Sequence, residues 1–285
     1  MDRTLYLAQG VAAGILFGTA SIFIRMLPRM DAFSLGFLRL VLASILMLIV
    51  AAIFYKDRLG EAVKHYGWRL IILGTFLGFH FVFFIIAVKT TSIVNATTLV
   101  NTTPAFALAM AWSLNKIKPA RVNVIGLAIT VAGITAMNLS TVATTPSNLV
   151  GDLSALAGAI FWAAYLTSGV GVRARVHPIA ATPSLYMVSA LVLALSGLLV
   201  GGGLILPQTN EIPPIIALVF LPTVLGHTLQ FSSLKGLKPY ETSTLALLEP
   251  VAASALALIV FGEAPAPILY LSAAVVIFGI YLVVR

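Results

Sequence analysis

Long apolar runs recur along the whole chain, and they constrain its fold more than any other feature. Each run is about 18–25 residues long, which is enough for one α-helix to cross the hydrocarbon core of a bilayer. Lipid offers no hydrogen-bond partners, so the backbone of such a run must be helical. The sequence therefore predicts an all-α polytopic membrane protein with ten transmembrane spans, at roughly residues 5–27, 32–54, 68–88, 92–114, 121–139, 150–171, 180–203, 213–234, 241–261 and 266–284.

The composition excludes a soluble domain and several classes of site. Hydrophobic residues make up 60% of the chain and charged residues only 9%, whereas a soluble domain is roughly 45–50% apolar. The net charge of +8 could indicate nucleic acid, but the basic residues lie in short loops between apolar runs, so no such partner is predicted. The chain has no cysteine, which excludes disulfides and thiolate metal sites, and we expect no cofactor.

The distribution of Lys and Arg predicts the topology. Of the 17 basic residues, Arg39 lies within a span, and Arg25, Arg29 and Lys89 flank one side of the membrane. The other 13 flank the opposite side, which the positive-inside rule assigns to the cytoplasm. We therefore expect a multi-pass protein of the inner (plasma) membrane with both termini cytoplasmic. The first run has no small-residue cleavage site, so it is interpreted as a retained helix.

Two stretches of the sequence look like copies of one segment. Residues 89–109 read KTTSIVNATTLVNTTPAFALA and residues 235–255 read KGLKPYETSTLALLEPVAASA, which aligns Pro104 with Pro250 without a gap. The same register aligns Gly133 with Gly279. A weaker match aligns Phe17 with Phe161. A repeat of this kind in a membrane chain is typical of transporters whose site lies between the halves.

The polar connection at residues 140–148 divides the chain into two halves, residues 1–140 and 149–285. Each half holds five spans, an odd number, so the second half must enter the membrane upside down. Inverted halves can form two mirror-related conformations, which is the physical basis of alternating access. In the first span, Gly10, Gly14 and Gly18 form a stripe that predicts close helix packing.

Glu249 is the most informative polar residue at bilayer depth, where ionisable groups are costly. It precedes Pro250, which cannot donate a backbone hydrogen bond and leaves a carbonyl free one turn earlier. A protonated Glu could satisfy that carbonyl or pair with another helix. Alternatively, the carboxylate could bind an amine or exchange a proton.

Three further ionisable side chains lie within spans. Arg39 can extend outward, contact a neighbouring helix or bind a substrate carboxylate. His80 and His227 lie near the centres of their spans, where histidines line pockets, relay protons or join helices. Gln230 follows His227 by one turn, and Phe83 and Phe84 share the side of His80.

The fourth and sixth spans carry the remaining candidates. Asn95, Thr98 and Asn101 share one helix face, which ends at Pro104. Such a face can join helices, but the match of Pro104 to Pro250 favours two bent helices that line a cavity. Trp162 and Tyr165 are too central for interface anchors, so they pack between helices or form an aromatic wall.

Several catalytic signatures are missing. The sequence has no Walker loop, no HExxH and no GxSxG motif. We therefore predict no catalytic residue, no metal site and no ATP-driven pumping, and the protein is not expected to be an enzyme. An intramembrane enzyme that uses Glu249 with His80 and His227 remains the alternative from another class.

With Arg39, residues 96–106 (ATTLVNTTPAF), residues 247–257 (LLEPVAASALA) and Phe261-Gly262-Glu263, the chain resembles the drug/metabolite transporter superfamily, specifically its EamA-type members. The resemblance covers nearly the whole chain. It implies two inverted five-helix halves around a central cavity and export of metabolites, often amino acids.

Among those members, the chain is similar to the YddG-type amino-acid exporters. His80, Phe83 and Trp162 stand where those exporters have cavity residues. The fourth span departs from that pattern, because Val100, Asn101 and Thr102 replace aromatic residues. This difference suggests a smaller or more polar ligand.

The sequence thus predicts a secondary transporter that exports a small metabolite, an amino acid, by alternating access, with protons as a candidate coupling ion through Glu249. The expected partners are this substrate and the lipid bilayer, and the protein is a monomer or homodimer. A lipid or nucleotide-sugar carrier of the same superfamily is the alternative. Arg39, Pro104 and Pro250 are expected to be structural or gating residues, and the predicted substrate-binding residues are His80, Phe83, Phe84, Asn101, Trp162, Tyr165, His227, Gln230 and Glu249.

Overall fold

The computed structural model describes residues 3–91, 93–142, 148–262 and 267–285, and this part of the chain is helical with short connections. The fold is all-α, as predicted. The α-helices are α1 (Arg3–Arg25), α2 (Ala32–Phe54), α3 (Lys56–Thr90), α4 (Ile93–Val100), α5 (Thr103–Ser113), α6 (Arg121–Val142), α7 (Leu149–Arg173), α8 (Pro178–Leu199), α9 (Ile212–Leu218), α10 (Thr228–Ser233), α11 (Pro239–Ala246), α12 (Glu249–Phe261) and α13 (Pro267–Val284). A π-helical segment, Val219–His227, joins α9 to α10.

These helices fill all ten predicted spans. Eight segments are long and apolar enough to cross a membrane, and α6 contains a shorter apolar stretch, Arg121–Met137. The fourth span is divided between α4 and α5. The third span differs most from expectation, because its helix begins at Lys56 rather than near residue 68. At about 1.5 Å per residue, the 35 residues of α3 exceed the thickness of the hydrocarbon core.

The fourth and ninth spans are interrupted at the same place in the repeat. Adding 146 to the bounds of α4 (93–100) gives those of α11 (239–246), and the start of α5 (103) maps to that of α12 (249). Each second piece carries its proline in the first turn, where the missing N–H is tolerated. The repeat register read from the sequence is therefore also a repeat of backbone structure.

A threonine hydroxyl compensates for each of two prolines. The carbonyl of Val100 would accept a bond from residue 104, but Pro104 has no N–H, and the Thr103 hydroxyl donates to that carbonyl instead, at 2.7 Å. In the π-helical segment, Thr223 beside Pro222 donates to the Leu218 carbonyl at 2.8 Å. The carbonyls that Pro104 and Pro222 leave without a backbone donor are thus still paired, as a low-dielectric environment requires.

The two halves interdigitate and pack about an approximate two-fold axis. Three contacts join equivalent spans directly: α2 with α8, α6 with α13, and α5 with α11, the last joining pieces of the fourth and ninth spans. Further contacts come in matched pairs. α1 packs on the ninth span and α7 on the fourth, while α1 also packs on the eighth span and α7 on α3.

The contact between α6 and α13 shows this symmetry at atomic detail. A Cβ on Gly133 would lie 3.0 Å from the backbone nitrogen of Val276, and one on Gly279 would lie 2.6 Å from that of Thr130. Residues 133 and 279, and likewise 130 and 276, differ by 146. The glycines allow the two backbones to approach closely, as small residues do at membrane helix interfaces.

The glycine stripe of α1 packs against the ninth span, as its spacing predicts. A Cβ on Gly10 or Gly14 would overlap Leu245, and one on Gly18 would lie 2.7 Å from the Cβ of Ala252. The start of α1 and the end of α13 lie at one face of the bundle, where Arg3 Nη2 donates to the Val284 carbonyl at 2.7 Å. We call this the terminal face.

Candidate substrate site at the centre of the bundle

Two buried histidines mark the centre of the bundle. His80 lies on α3, and His227 ends the π-helical segment of the eighth span, which is the counterpart of α3 in the second half. Each histidine ring has an aromatic neighbour on the first span of the opposite half. Between ring centroids, Trp162 of α7 lies 4.8 Å from His80, and Phe17 of α1 lies 4.7 Å from His227. The site is therefore built from equivalent elements of the two halves.

This arrangement corrects one detail of the sequence repeat. Alignment paired Phe17 with Phe161, but the ring of Phe161 stacks on Phe83 at 5.4 Å, away from both histidines. Trp162, one residue later, contacts His80 as Phe17 contacts His227, and the two rings meet at 6.4 Å. One residue turns a helical side chain by about 100°, so a one-residue error in alignment selects the wrong face.

His80 has a defined tautomer when neutral. Its Nδ1 lies 2.9 Å from the Gly158 carbonyl, which can only accept, so Nδ1 carries the hydrogen. Its Nε2 is then an acceptor. The ring also stacks on Phe84 at 6.3 Å, which places Phe84 beside the histidine as predicted from their spacing.

His227 contacts Arg39, a residue 188 positions away in the sequence. Arg39 Nη2 lies 3.5 Å from His227 Nε2, and the guanidinium lies over the ring of Phe81 at 5.2 Å. A guanidinium can only donate, so Nε2 accepts and the neutral ring carries its hydrogen on Nδ1. Arg39 therefore contacts the eighth span inside the bundle rather than extending outward to the membrane surface.

Glu249 lies at the first position of α12, within electrostatic range of Arg39. The residue is half-buried, and no salt bridge or side-chain hydrogen bond involving it occurs among the described residues. Its repeat counterpart is Thr103, whose hydroxyl pairs with a backbone carbonyl. Glu249 does not use its side chain in that way, so the carboxyl group is available to a ligand.

Four polar side chains at or near this centre contain buried atoms without a hydrogen-bond partner. They are Arg39 Nε, Trp162 Nε1, His227 Nδ1 and both amide atoms of Gln230. Arg39 Nε and Trp162 Nε1 are donors, and His227 Nδ1 is a donor in the tautomer given above. Unpaired buried donors are costly, so a ligand that accepts hydrogen bonds would stabilise them.

The remaining predicted residues lie in different surroundings. Phe83 makes its ring contacts with Phe79 and Phe161, not with either histidine. Tyr165 is buried and stacks on Phe231 of α10 at 6.1 Å. Asn101 is half-buried at the break between α4 and α5. The side chain of Asn95 and the whole of Glu263 lie outside the described residues.

Sequence reasoning missed Phe17 and Phe81, both of which contact His227. Phe17 falls beside the glycine stripe of α1, and Phe81 follows His80. Both are apolar residues in apolar spans, so the search for polar residues at bilayer depth does not select them. Within the described residues, no group of three His, Asp or Glu side chains could hold a metal ion.

Comparison with known proteins agrees with this architecture. The model of the EamA-like transporter family matches residues 4–139 and again residues 149–285. The chain belongs to the EamA-like transporter family. One matching solved structure, titled "Crystal structure of protein", shares 18% identity with a TM-score of 0.87, covering 99% of this chain and 96% of that one. At this identity the likeness shows the fold alone. No curated protein matches the sequence significantly.

Membership of this family makes the chain a transporter of the drug/metabolite type and an integral membrane protein, with a small-molecule substrate. It gives no reason to expect catalysis. The identity of the substrate must come from the site itself.

Proposed function

We propose that this transporter exports a small zwitterionic metabolite, an amino acid, by secondary transport. The observation that carries the proposal is the set of unpaired buried donors around Arg39, together with the free carboxyl group of Glu249. A carboxylate can accept from Arg39 Nε, His227 Nδ1 and Trp162 Nε1, and charge-assisted bonds of this kind are stronger than neutral ones.

The ammonium group of the same ligand would bind the acceptors. Glu249 offers a carboxylate, His80 Nε2 offers a lone pair, and the rings of Trp162 and Phe84 offer aromatic faces to a cation. Arg39 and Glu249 interact electrostatically without direct contact. A ligand that carries two adjacent opposite charges can therefore bind both side chains at once. Asn101, Gln230, Phe83 and Tyr165 remain proposed lining residues.

We infer that the present conformation faces outward. On the terminal face, which we assign to the cytoplasm, every residue of α11 is buried and α11 packs on α5. Towards the opposite face, α12 has no buried residue, and residues 97–99 of α4 are only half-buried. Inverted repeats can exchange these arrangements, which would open the terminal face and close the other.

The coupling ion follows from the same site. Glu249 can carry a proton across the low-dielectric centre in one direction and release it where water is accessible. We propose proton coupling through Glu249 in an inner (plasma) membrane protein whose termini are cytoplasmic, present as a monomer or homodimer. Pro104 and Pro250 mark the breaks about which the inner and outer halves of their spans can move.

Counterflow in proteoliposomes tests this function. Vesicles that contain the wild type are preloaded with a mixture of amino acids, and exchange is scored by mass spectrometry. Selective exchange is expected from the wild type and from the control Asp57→Asn, an exposed residue of α3. Glu249→Gln and Arg39→Leu should abolish it.

The outcomes separate two questions. Exchange by wild type and Glu249→Gln alike, with unchanged pH dependence, would keep the carrier and reject the role of Glu249. Absence of exchange for every amino acid would reject the proposed substrate class and leave the family membership intact.

A further inference from the structure

A second concave site lies at the terminal face, away from the central histidines. It encloses about 230 Å³ between the start of α3, the turn from α7 to α8 and the connection after α10. This volume is below the roughly 300–1,000 Å³ of pockets for drug-sized ligands, so it suits a small charged group.

The walls of this cavity are strongly basic. Arg58, Arg173, Arg175 and Lys235 line it with a single acid, Glu61, which gives a formal charge of +3 (four cations minus one anion). None of the four cations has a carboxylate partner within 4 Å among the described residues. Positive-inside topology explains basic loops, but it does not require four cations from three separate elements to converge on one cavity.

Arg173 gives the second, independent indication of a ligand. It is only 8% exposed, and two of its nitrogens donate to the Val176 carbonyl and to Ser232, at 3.2 and 3.4 Å. Its buried Nε has no partner. A buried guanidinium with an unused donor in a basic cavity is suited to an anion, and Arg forks match phosphate geometry.

His177 reports the same electrostatic environment. Its ring lines the cavity and stacks on Tyr55 at 4.6 Å. Desolvation by burial lowers the pKa of His177, and the positive charges of Arg58, Arg173 and Lys235 lower it further. These three cations therefore act on one volume, where a bound anion would offset their mutual repulsion.

We infer that this cavity binds a phosphate group at the cytoplasmic surface of the membrane. The inference goes beyond the proposed transport cycle and does not rest on it. Trp68, two residues after Tyr66 of the cavity wall, is 73% exposed, as aromatic residues at the level of lipid headgroups are. The phosphate can thus belong to an anionic phospholipid of the inner leaflet or to a soluble phosphate compound.

The test compares two sources of phosphate on the purified, full-length protein. Native mass spectrometry in detergent measures retention of phosphatidylglycerol against phosphatidylcholine. Thermal unfolding measures stabilisation by inorganic phosphate against chloride at equal ionic strength. The cavity variant is Arg58→Gln/Lys235→Gln, and the matched control, with the same charge change on the α3 extension outside the cavity, is Lys56→Gln/Lys64→Gln.

A basic residue close to an anionic headgroup contributes about a fivefold gain in affinity, so removing two from the cavity should lower it roughly 25-fold. Lys56 and Lys64 do not line the cavity, so the control should lose much less. Preferential loss of phosphatidylglycerol in the cavity variant supports the lipid as the source. Preferential loss of stabilisation by inorganic phosphate supports a soluble compound. Equal effects in both variants, or wild-type binding by the cavity variant, would overturn the inference. Neither measurement uses transport, so failure here is distinct from failure of the proposed function.

Discussion

The bond from Thr103 to the Val100 carbonyl makes a quantitative prediction about how a membrane helix tolerates a break. Thr103 is 1% exposed, and its hydroxyl replaces the N–H that Pro104 lacks. Thr103→Val keeps the shape of the side chain and replaces its hydroxyl with a methyl group. The Val100 carbonyl then has neither a backbone nor a side-chain donor.

The size of the effect follows from the environment. An unsatisfied buried acceptor costs about 1–3 kcal/mol in proteins, whereas hydrogen bonds measured within a membrane protein average about 0.6 and reach about 1.7 kcal/mol. We therefore expect Thr103→Val to lower the free energy of unfolding by about 1–1.5 kcal/mol. In a Pro104→Ala background the restored N–H of residue 104 can pair with the carbonyl, so the same change should cost only about 0.3 kcal/mol.

A double-mutant cycle measures this difference directly. The four proteins, namely wild type, each single variant and the double variant, are unfolded reversibly in mixed micelles, and the coupling energy is obtained from the four free energies. A coupling near 1 kcal/mol supports the replacement of the missing N–H by the hydroxyl. If Thr103→Val costs the same in both backgrounds, the reasoning is refuted, because the hydroxyl would then not be serving the carbonyl that proline leaves unpaired.

Three further outcomes are expected. Gly133→Leu should destabilise the protein by about 1–3 kcal/mol through overpacking against α13, whereas Gly67→Ala, in open space, should be neutral or slightly stabilising in the same unfolding assay. Desolvation raises the pKa of Asp31, but hydrogen bonds at the start of α2 and the charge of Lys89 outweigh it and hold that pKa below its usual 3.8. The stabilisation by Asp31 is therefore present above the unfolded pKa and is lost as pH falls through the folded pKa. Asp31→Ala should cost about 1 kcal/mol at neutral pH and little once the pH lies below the folded pKa, and a constant cost would contradict this account. Trp162→Ala should weaken apparent substrate affinity without loss of expression, and unchanged affinity would assign Trp162 to packing alone.

The spans and their breaks could be predicted because they depend on local physics. Hydropathy measures whether a run can cross lipid, and proline removes a backbone donor wherever it stands, so both signals survive without knowledge of the fold. The start of α3 was less predictable, since residues 56–67 are polar and only their helical continuity with the span extends the helix. The π-helical segment likewise depends on Pro222, which lacks an N–H, and on the Thr223 hydroxyl, which donates to the Leu218 carbonyl; no periodicity indicates this.

The composition of the site was harder to predict, because its contacts join residues far apart in sequence. The polarity of His80, His227 and Glu249 identified them as candidates, but the contact of Arg39 with His227 spans 188 positions and the two-fold packing brings it about. The repeat alignment paired Phe17 with Phe161, although Trp162 was the residue predicted for the site, because adjacent residues have nearly the same depth but point about 100° apart around the helix. Depth is readable from hydropathy, whereas direction within the bundle requires the packed structure.

Comparison of equivalent residues in the two halves distinguishes those that the fold requires from those that a ligand requires. The two ring pairs, Phe17 with His227 and Trp162 with His80, each join one residue of the first half to one of the second, so they follow from the two-fold arrangement of the halves. The two charged residues, Arg39 and Glu249, have no charged counterpart in the other half. Counted from the first residues of α2 and α8, Arg39 corresponds to Leu185, and in the 146-residue register Glu249 corresponds to Thr103.

The half that lacks each charge packs the same backbone elements without it, so the architecture itself does not demand either charge. A charged side chain at the bilayer centre costs about 2.5–3.5 kcal/mol on insertion scales, and the equivalent position of the other half packs without such a charge. Neither Arg39 nor Glu249 forms a salt bridge among the described residues, although each lies in electrostatic range of the other. The asymmetry of charge on a symmetric scaffold is therefore the strongest physical argument that a ligand with both signs of charge is recognised between the two halves.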